Sequence, residues 1–342
     1  MIHLVTGGSG FLGRLITREL LARGECVRVA DVWEDPERHP DTEFFHCDVR
    51  DRQAVRAAMH GVDVVHHNAA LVPLSKSGKA FWEVNVEGSR IAAEEAAQAC
   101  VRSFIHMSSS AIYGAVKEQP ITVSTPTSPV EAYGRSKLAS ERAVREICNR
   151  VGIQLIVIRP RTILGPGRLG IFQLLFKWIS SNANVYVIGS GNVPFQFVHA
   201  RDLMDAYMLA AARSQAGIYN VGTDRYGTMR QALENLIGYA NSRSKVLSLP
   251  KTFTIRTLQI LDLMRLSPLA PYHYLTYHKP FCFDIEHVLQ LGWKPRYSND
   301  EMLRETYDSF LTGTENVDTT STLSPHRKKV NESILWLLRK LS

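Results

Sequence analysis

Two residues of this 342-residue chain have the types and spacing of an acid/base pair. Tyr133 and Lys137 lie four residues apart, so on a helix the phenol and the ammonium share one face. A tyrosine hydroxyl has a pKa of about 10, and a nearby cation stabilises the phenolate and lowers that pKa. The pair is therefore expected to take a proton from a substrate hydroxyl while hydride leaves the carbon. The same spacing is also typical of two neighbours on an exposed helix.

A run of serines supplies a second candidate group. Ser108, Ser109 and Ser110 follow a predicted strand. A hydroxyl at the end of a strand can orient the substrate oxygen toward Tyr133. Serines are also frequent in the turns that follow strands, so the run alone does not decide between the two roles.

A glycine-rich turn near the start of the chain predicts a phosphate cradle. Gly7, Gly10 and Gly13 lie between an apolar strand and an amphipathic helix that includes Phe11 and Leu12. Glycine lets the backbone turn sharply and approach a pyrophosphate, and the helix start offers free N–H groups. The alternative is an ordinary strand–turn–helix unit with structural glycines.

Two acidic residues after later strands extend this prediction. Asp31 ends the second predicted strand, where a carboxylate accepts hydrogen bonds from the ribose hydroxyls and repels a 2′-phosphate. That favours NAD over NADP. Asp48 follows the third strand and would border the adenine pocket, with Val49 packed beside it. An aspartate that caps a helix or a turn is the alternative for Asp31.

Strand-like segments alternate with amphipathic or alanine-rich segments over the first half of the chain. This alternation predicts an α/β fold, a Rossmann-type doubly wound parallel sheet with helices on both faces. Ligands of such sheets bind at the carboxyl ends of the strands, where the residues above lie. The predicted strands are Ile2–Thr6, Cys26–Asp31, Glu43–Cys47, Val62–His67, Phe104–Ser108 and Gln154–Arg159, and the predicted helices include Arg52–Met59, Asn85–Ala99 and Ala132–Arg150.

The pattern loosens after Arg159, which predicts a second unit. We expect residues 1–164 to form an NAD-binding Rossmann domain. Residues 165–312 should form mainly a smaller C-terminal substrate lobe, with some segments returning to the sheet. The apolar stretch Leu258–Leu275 is expected in the core of that lobe, or lining an apolar substrate entrance. Residues 313–325 are polar and predict a linker.

Residues 326–342 combine an apolar stripe with basic side chains. Val330, Ile334, Leu337 and Leu341 would lie on one side of a helix. This composition is typical of a basic amphipathic helix that lies in a membrane interface. The alternative is a helix packed against the body of the protein or against a second subunit.

Composition argues against several classes of protein. The net charge is +7, but no zinc-finger or aromatic RNA-binding motif is present, so we expect no nucleic-acid partner. Five scattered cysteines indicate reduced thiols, and the histidines lack metal-ligand spacing, so no metal site is expected. Strand-like sequence from Ile2 argues against a signal peptide. We expect a cytoplasmic protein, associated at most with the cytoplasmic face of a membrane.

Seven motifs in order along residues 1–310 resemble those of one enzyme family. It is the extended short-chain dehydrogenase/reductase family, in its NAD-dependent epimerase/dehydratase group. The matching segments are Thr6–Gly13, Asn68–Ala70, Asn85–Ser89, Ser109–Gly114, Tyr133–Lys137, Arg159–Gly167 and Phe197–Leu203.

The resemblance assigns roles to single residues. It implies that Tyr133 is the acid/base, that Lys137 also holds the nicotinamide ribose, and that Ser109 is the serine that steadies the substrate oxygen. The further cofactor contacts that it implies are Ala69, Ala70, Asn85 and Pro160.

Three positions depart from the family pattern. Ser110 and Ala111 stand where 4,6-dehydratases carry an Asp-Glu pair that removes water, so we do not expect a dehydratase. Thr162 stands where many sugar-nucleotide epimerases have an asparagine that contacts substrate. Phe195 stands where those enzymes usually have an arginine that grips a diphosphate, and a phenyl ring cannot replace a guanidinium there.

Other arginines could supply the missing charge from another direction. Arg161, Arg168 and Arg201 are the candidates. Arg161 and Arg168, with Ser110, Thr162 and Phe195, are therefore predicted to lie near the substrate.

These features together predict an NAD-dependent epimerase or oxidoreductase that acts on a secondary hydroxyl. The expected substrate is a sugar on a nucleotide or lipid diphosphate. One alternative is a 3β-hydroxysteroid-dehydrogenase-like oxidoreductase on a hydrophobic hydroxy or keto compound, and another is a non-catalytic NAD-binding scaffold. By analogy we expect a homodimer through the helices that hold Asn85 and Tyr133.

Overall fold

A parallel sheet with helices on both faces is the frame of the molecule. The computed structural model describes residues 1–75, 77–213, 216–264, 266–267 and 269–313. The strands within these residues are β1 (Ile2–Thr6), β2 (Cys26–Asp31), β3 (Thr42–His46), β4 (Val64–His67), β5 (Ser103–Met107), β6 (Gln154–Pro160), β7 (Thr162–Leu164), β8 (Val185–Ile188), β9 (Phe197–His199), β10 (Gly217–Val221) and β11 (Val246–Leu249).

The order of the strands creates a crevice beside β1. Within the described residues, seven strands form one sheet in the order β10-β6-β5-β4-β1-β2-β3, and β8 with β11 and β7 with β9 form two small pairs. All pairings in the large sheet are parallel. The chain runs outward in opposite directions from β1 and β4, which is where ligands bind in open parallel sheets. The predicted fold class is confirmed.

The helices connect and cover these strands. They are α1 (Phe11–Ala22), α2 (Arg52–Met59), α3 (Ser89–Gln98), α4 (Ala132–Val151), α5 (Phe172–Ser180), α6 (Ala200–Ala211), α7 (Met229–Tyr239), α8 (Lys251–Leu263), α9 (Pro271–Thr276), α10 (Glu286–Leu289) and α11 (Asn299–Leu311).

Predicted boundaries agree with the structure to within about two residues, with one difference. The predicted helix over Asn85–Ala99 is divided, because a π-helical segment, Phe81–Gly88, runs directly into α3. Such wide turns are frequent at functional sites. Here the side chain of Asn85 points into the protein and bonds to the backbone of Leu71.

Apolar side chains on both faces of the sheet and in the later lobe hold these elements in place. On one face of the sheet, Ile16 of α1 and Tyr207 of α6 belong to one buried cluster. On the other face, Ala92 of α3 and Val144 of α4 belong to another. A separate cluster in the later part of the chain includes Phe176. The division at residue 164 stays a prediction, and β10 lies beyond it while pairing with β6.

The expectation that Leu258–Leu275 forms lobe core is wrong for its first part. No residue of α8 is buried, and Leu263 is 86% exposed. The apolar residues of α8 are spread around the helix, so no single apolar face can be buried. The second part behaves differently, because Tyr272 and Tyr274 of α9 are buried.

The predicted linker, beyond Gly313, and the predicted tail helix over 326–342 lie outside the described residues. In the part of the chain that is described, no helix is both long and apolar enough to cross a membrane.

Candidate active site

The turn after β1 and the start of α1 leave no room for a side chain at two glycines. Gly7 has a φ of +65°, and a Cβ there would lie 2.8 Å from the backbone nitrogen of Ala69. A Cβ on Gly13 would lie 2.2 Å from the carbonyl oxygen of Gly7. Both obstacles are backbone atoms, which cannot rotate away. The glycines therefore let β1, the first turn of α1 and the segment after β4 meet in one place.

Free donors face outward from this turn. The first hydrogen bond of α1 runs from the N–H of Arg14 to the oxygen of Gly10, and no side chain caps the helix start. The N–H groups of Phe11, Leu12 and Gly13 precede that bond, so they are available to an anion. The buried hydroxyl of Ser9 also has no hydrogen-bond partner within the described residues. This donor set fits the pyrophosphate of a dinucleotide.

Asp31 lies beside the same turn and is half-buried. Its carboxylate accepts hydrogen bonds from the N–H of Ser9 at 3.1 Å and of Trp33 at 3.3 Å. Burial raises its pKa, and the backbone hydrogen bonds partly offset that rise. A carboxylate held at the end of β2 is placed as the sequence predicts for a ribose-binding acid.

The structure uses Asp48 and Val49 differently from one another. Asp48 forms an ion pair with Arg50 at 2.6 Å, which lowers the pKa of its carboxyl. Val49 is buried against Gly88, where a Cβ would lie 2.6 Å from the valine side chain. Val49 thus forms part of the wall below the π-helical segment, while the charge of Asp48 is already compensated.

The predicted cofactor residues after β4 are held by hydrogen bonds. The hydroxyl of Thr6 accepts from the N–H groups of Asn68 and Ala69, at 3.3 and 3.4 Å, and Ala70 follows half-buried. Asn85 is fully buried, and its amide bonds Leu71 and Ser136. Asn85 therefore positions the segment after β4 against α4.

Lys137 reaches the end of a sheet strand. The residue is 4% exposed, and its ammonium donates to the carbonyl oxygen of Met107, the last residue of β5, at 2.6 Å. Burial lowers its pKa to about 8. An ammonium has three donors, and this is its one hydrogen bond to the described residues, so two donors can meet a cofactor.

Tyr133 and Ser109 come together as the sequence predicts. The Ser109 hydroxyl faces the phenol and lowers its pKa through hydrogen bonding, while burial acts more strongly and raises that pKa to about 12. The expectation that Lys137 lowers the pKa is not met in the chain alone. The cation that lowers it is Arg168.

The first turn of α4 fixes the place of Tyr133. Glu131 caps the helix and accepts hydrogen bonds from the N–H groups of Tyr133 and Gly134, both at 2.6 Å. A Cβ on Gly134 would lie 2.6 Å from the carbonyl oxygen of Ala111. Glycine at this position therefore allows α4 to approach the segment that carries Ser109.

The three consecutive serines have three different partners. Ser108 donates to the carboxylate of Glu141 at 2.7 Å, and Ser109 accepts from the N–H of Ala111 at 3.2 Å. Ser110 is buried and accepts from the guanidinium of Arg161 at 3.1 Å. Ser109 is thus the serine whose hydroxyl is directed to Tyr133.

Arg161 occupies the space beside Phe195. Its guanidinium carbon lies 4.8 Å from the ring centre of Phe195 and 3.9 Å from that of Phe281. Phe195 is 1% exposed and also packs against Tyr277, with ring centres 4.9 Å apart. Phe195 therefore does not supply the guanidinium that the family pattern leads one to expect at position 195. Its ring packs against the guanidinium of Arg161 instead.

The other predicted substrate residues divide between two places. Thr162 is half-buried and lies beside Arg161, with its hydroxyl 3.4 Å from that of Tyr277. Arg168 lies on the cofactor side, 5.7 Å from the ring centre of Phe11. Pro160 ends β6 and pairs in register with Val221.

Arg201 points away from this site, toward Glu305 and Tyr297. Over the described ranges, no group of three or more metal-binding side chains is arranged to hold an ion.

The sequence did not reveal two tyrosines of this site. Tyr272 packs with Phe81, Ala111 and Tyr133, and its hydroxyl lies 3.5 Å from that of Ser110. Tyr277 packs against Tyr272 with ring centres 5.8 Å apart. Both lie on or just after α9, far along the chain from Tyr133, and no motif around them signals the contact.

The arrangement joins a dinucleotide cradle to an acid/base group at the carboxyl edge of the sheet. A substrate oxygen between Ser109 and Tyr133 would sit where a proton can pass to the phenol. Aromatic rings and the guanidinium of Arg161 lie next to these groups.

Comparisons with known proteins agree with this geometry. Residues 3–222 match the model of the NAD dependent epimerase/dehydratase family. An uncharacterised protein of Sinorhizobium fredii is 40% identical over 98% of this chain and 85% of its own.

Two relatives of described activity are more distant. Sterol demethylase protein B of Methylococcus capsulatus is 31% identical, over 71% of this chain and 76% of its own. A UDP-glucose 4-epimerase of Halalkalibacterium halodurans is 28% identical, over 68% and 79%.

A solved structure shares the fold. The UDP-glucose 4-epimerase of Thermotoga maritima, solved with UDP-glucose, superposes with a TM-score of 0.76. The superposition covers 92% of this chain and 100% of that one, at 22% identity.

Proposed function

The chain belongs to the NAD-dependent epimerase/dehydratase family, and from that membership we propose that it oxidises a secondary alcohol whose proton is taken by Tyr133. It is an NAD-dependent enzyme of the extended short-chain dehydrogenase/reductase type, not a scaffold. The observation that carries the proposal is the meeting of Tyr133 and Ser109 beside Lys137 and the glycine cradle.

Each residue has a separate task in this proposal. Ser109 donates to the substrate oxygen and holds it against the phenol of Tyr133, which receives the proton. Lys137 directs its unused N–H donors to the nicotinamide ribose. Asp31 accepts hydrogen bonds from the hydroxyls of the adenosine ribose. A bound NAD would supply the acceptor for the hydride that leaves the substrate carbon. A cation near the phenol stabilises the phenolate and opposes the rise in pKa that burial causes, as Arg168 does in the chain alone.

The aromatic residues around Arg161 favour a hydrophobic hydroxy compound over a nucleotide sugar. Phe195 replaces the usual diphosphate-binding arginine, and its ring is buried against Phe197 and Tyr277. Similarity to sterol demethylase protein B supports a hydrophobic substrate. The proposed substrate is therefore a hydrophobic secondary alcohol that leaves as a ketone.

A second candidate is epimerisation of a diphosphate-linked sugar. The similarity to a UDP-glucose 4-epimerase over 79% of that protein supports it. In that case the ketone would rotate within the active site, and the hydride would return to the opposite face of the carbonyl carbon.

Net formation of NADH separates the two candidates. Full-length protein is mixed with NAD and either cyclic hydrophobic secondary alcohols or UDP-glucose, and NADH absorbance and product are followed. The proposal predicts NADH in proportion to ketone, and no conversion of UDP-glucose. Conversion of UDP-glucose to UDP-galactose without accumulated NADH would establish the second candidate instead.

We also propose a homodimer through α4. A groove beside this helix is lined by Trp82, Leu138, Ala139 and Arg142, and Trp82 is 45% exposed. Light scattering should give twice the monomer mass for the wild type, and a smaller mass for Trp82→Glu.

Membrane contact through residues 326–342 stays a proposal from the sequence. Sedimentation with anionic vesicles, with and without those residues, tests it.

A further inference from the structure

A cation without an anion lies at the centre of the substrate side. Arg161 is 2% exposed, yet no carboxylate in the described residues pairs with it. Of its five donors, Nε bonds the carbonyl oxygen of Gln196 at 3.0 Å and Nη1 bonds Ser110 at 3.1 Å. Nη2 has no hydrogen-bond partner within the described chain.

A buried guanidinium without a counter-ion is costly unless something compensates its charge. Two faces of Arg161 are compensated by the rings of Phe281 and Phe195. The phenol of Tyr272 lies near enough to Arg161 to act on the pKa of the guanidinium, which it raises. It makes no well-formed hydrogen bond to Nη2. The rings thus fix the guanidinium plane, while the edge that carries Nη2 keeps unused N–H groups.

Contacts link Arg161 to the reacting group. Nη1 contacts Ser110, and the next residue back, Ser109, faces the phenol of Tyr133. The phenol of Tyr272 lies close to the same guanidinium and packs with Tyr133, so Arg161 and the reacting group share neighbours on both sides. Tyr272 contacts both Ser110 and Tyr133 and closes the same space.

We propose that the substrate carries a carboxylate close to its hydroxyl-bearing carbon, and that Arg161 binds this carboxylate. The inference rests on the proposed function and names the substrate class of the same site. A hydroxy acid supplies one negative charge to one buried cation. A nucleotide diphosphate sugar does not match as well, because its ring separates the phosphates from the reacting hydroxyl and its charge exceeds that of a single guanidinium.

Thr162 and Tyr277 complete the neutral part of this pocket. Their hydroxyls lie 3.4 Å apart beside Arg161, and burial raises the pKa of Tyr277, so it stays a neutral donor. Neutral hydroxyls can donate to a carboxylate without adding charge.

Binding of matched probes tests the inference independently of turnover. The probes are 2-hydroxycyclohexanecarboxylate, its methyl ester and UDP-glucose. The Tyr133→Phe protein with NAD is titrated with each by NMR. We expect the acid to bind roughly 10- to 100-fold more tightly than the ester, since a charged hydrogen bond in a buried site has that value.

Substitution of Arg161 should remove the preference for the acid. In the same background, Arg161→Met keeps an unbranched apolar stem between the rings, and acid and ester should then bind equally. Arg256→Met, which removes an exposed charge on α8, should keep the wild-type preference. Circular dichroism shows whether Arg161→Met is folded, and the comparison of acid with ester needs no substitution at Arg161.

Equal binding of acid and ester to the protein with intact Arg161 would overturn the inference. So would a preference for the acid that survives Arg161→Met in folded protein, or tighter binding of UDP-glucose than of the acid that depends on Arg161. Failure of every alcohol to yield NADH in the wild type would overturn the proposed function, and would leave the binding result intact.

Discussion

The cofactor side and the substrate side of the site are built from different materials. Around Gly7 and Gly13 the geometry is made by backbone atoms, and contacts run between neighbouring strand ends. Around Arg161 it is made by large side chains, including Phe195, Tyr272 and Phe281, from distant segments. The cofactor side therefore depends on glycines that have no side chain, since a Cβ at Gly7 or Gly13 would meet backbone atoms. The substrate side depends instead on which side chains are present.

The largest effect on NAD affinity is expected where a side chain would block the cradle. Gly13→Ala places a methyl group 2.2 Å from the Gly7 oxygen. Overpacking of this kind costs about 1–3 kcal/mol, so NAD should bind up to roughly 100-fold more weakly by calorimetry.

The matched control for this cradle is Gly238→Ala. A Cβ at Gly238, on α7, meets no atom within 4 Å, so NAD affinity should not change. Equal NAD affinities of the Gly13→Ala and Gly238→Ala proteins would show that the cradle is not limited by backbone contacts.

A second variant tests the junction of the two sides. Gly134→Ala brings a methyl group 2.6 Å from the oxygen of Ala111 and should displace Tyr133 from Ser109. A shift of about 1 Å in a reacting group can cost roughly 100-fold in rate. We expect kcat to fall roughly 10- to 100-fold, with NAD affinity nearly unchanged. An equal loss in NAD affinity would place the defect on the cofactor side instead.

Two carboxylates, those of Asp31 and Asp48, allow a matched test of the cofactor side. Asp31→Asn removes the charge beside Ser9 and should weaken NAD binding about tenfold while narrowing the preference over NADP. Asp48→Asn should have a smaller effect, because Arg50 already holds that carboxylate. The two NAD and NADP affinities are measured by calorimetry, and a larger effect at Asp48 would contradict the assignment.

The smallest effect concerns histidines beneath the cradle. Burial lowers the pKa of His66 and His67 to about 3, while in an unfolded chain they titrate at about 6.5. As pH falls, the unfolded state therefore binds protons before the folded state does. The free energy of unfolding decreases as pH falls from about 6.5 toward 3. Between pH 7 and 6, each histidine should lower the free energy of unfolding by roughly 0.7 kcal/mol.

Urea unfolding at the two pH values measures this loss. His67→Gln should remove about half of the contribution of the pair, and His39→Gln, at an exposed position, should leave the pH dependence as it is. The same pH dependence in the His67→Gln protein as in the wild type would contradict the assignment.

The sequence predicted the cofactor side better than the substrate side, for a physical reason. The glycines, Asp31, Ser109, Tyr133 and Lys137 belong to short segments whose strand or helix type determines where they lie. The neighbours of Arg161 are brought together by tertiary packing over more than a hundred residues, and periodicity carries no record of such contacts.

Two errors of prediction follow from the same cause. The pKa of Tyr133 is raised, because burial outweighs the hydrogen bond from Ser109 and the charge of Arg168, and the spacing of Tyr133 and Lys137 does not show how deeply the phenol is buried. The apolar stretch from Leu258 was assigned to the core from composition, although the residues of α8 lack one apolar face and Leu263 is exposed.

The central claim is that the two sides meet at the phenol of Tyr133. The most direct measurement compares Tyr133→Phe with Tyr239→Phe, which removes a hydroxyl at an exposed position, in an assay of NADH formation from a secondary alcohol. Removal of the acid/base group should lower kcat by roughly 10²- to 10⁴-fold in the first variant and leave the second unchanged, with NAD affinity the same in both. Turnover by Tyr133→Phe at the wild-type rate would contradict the account.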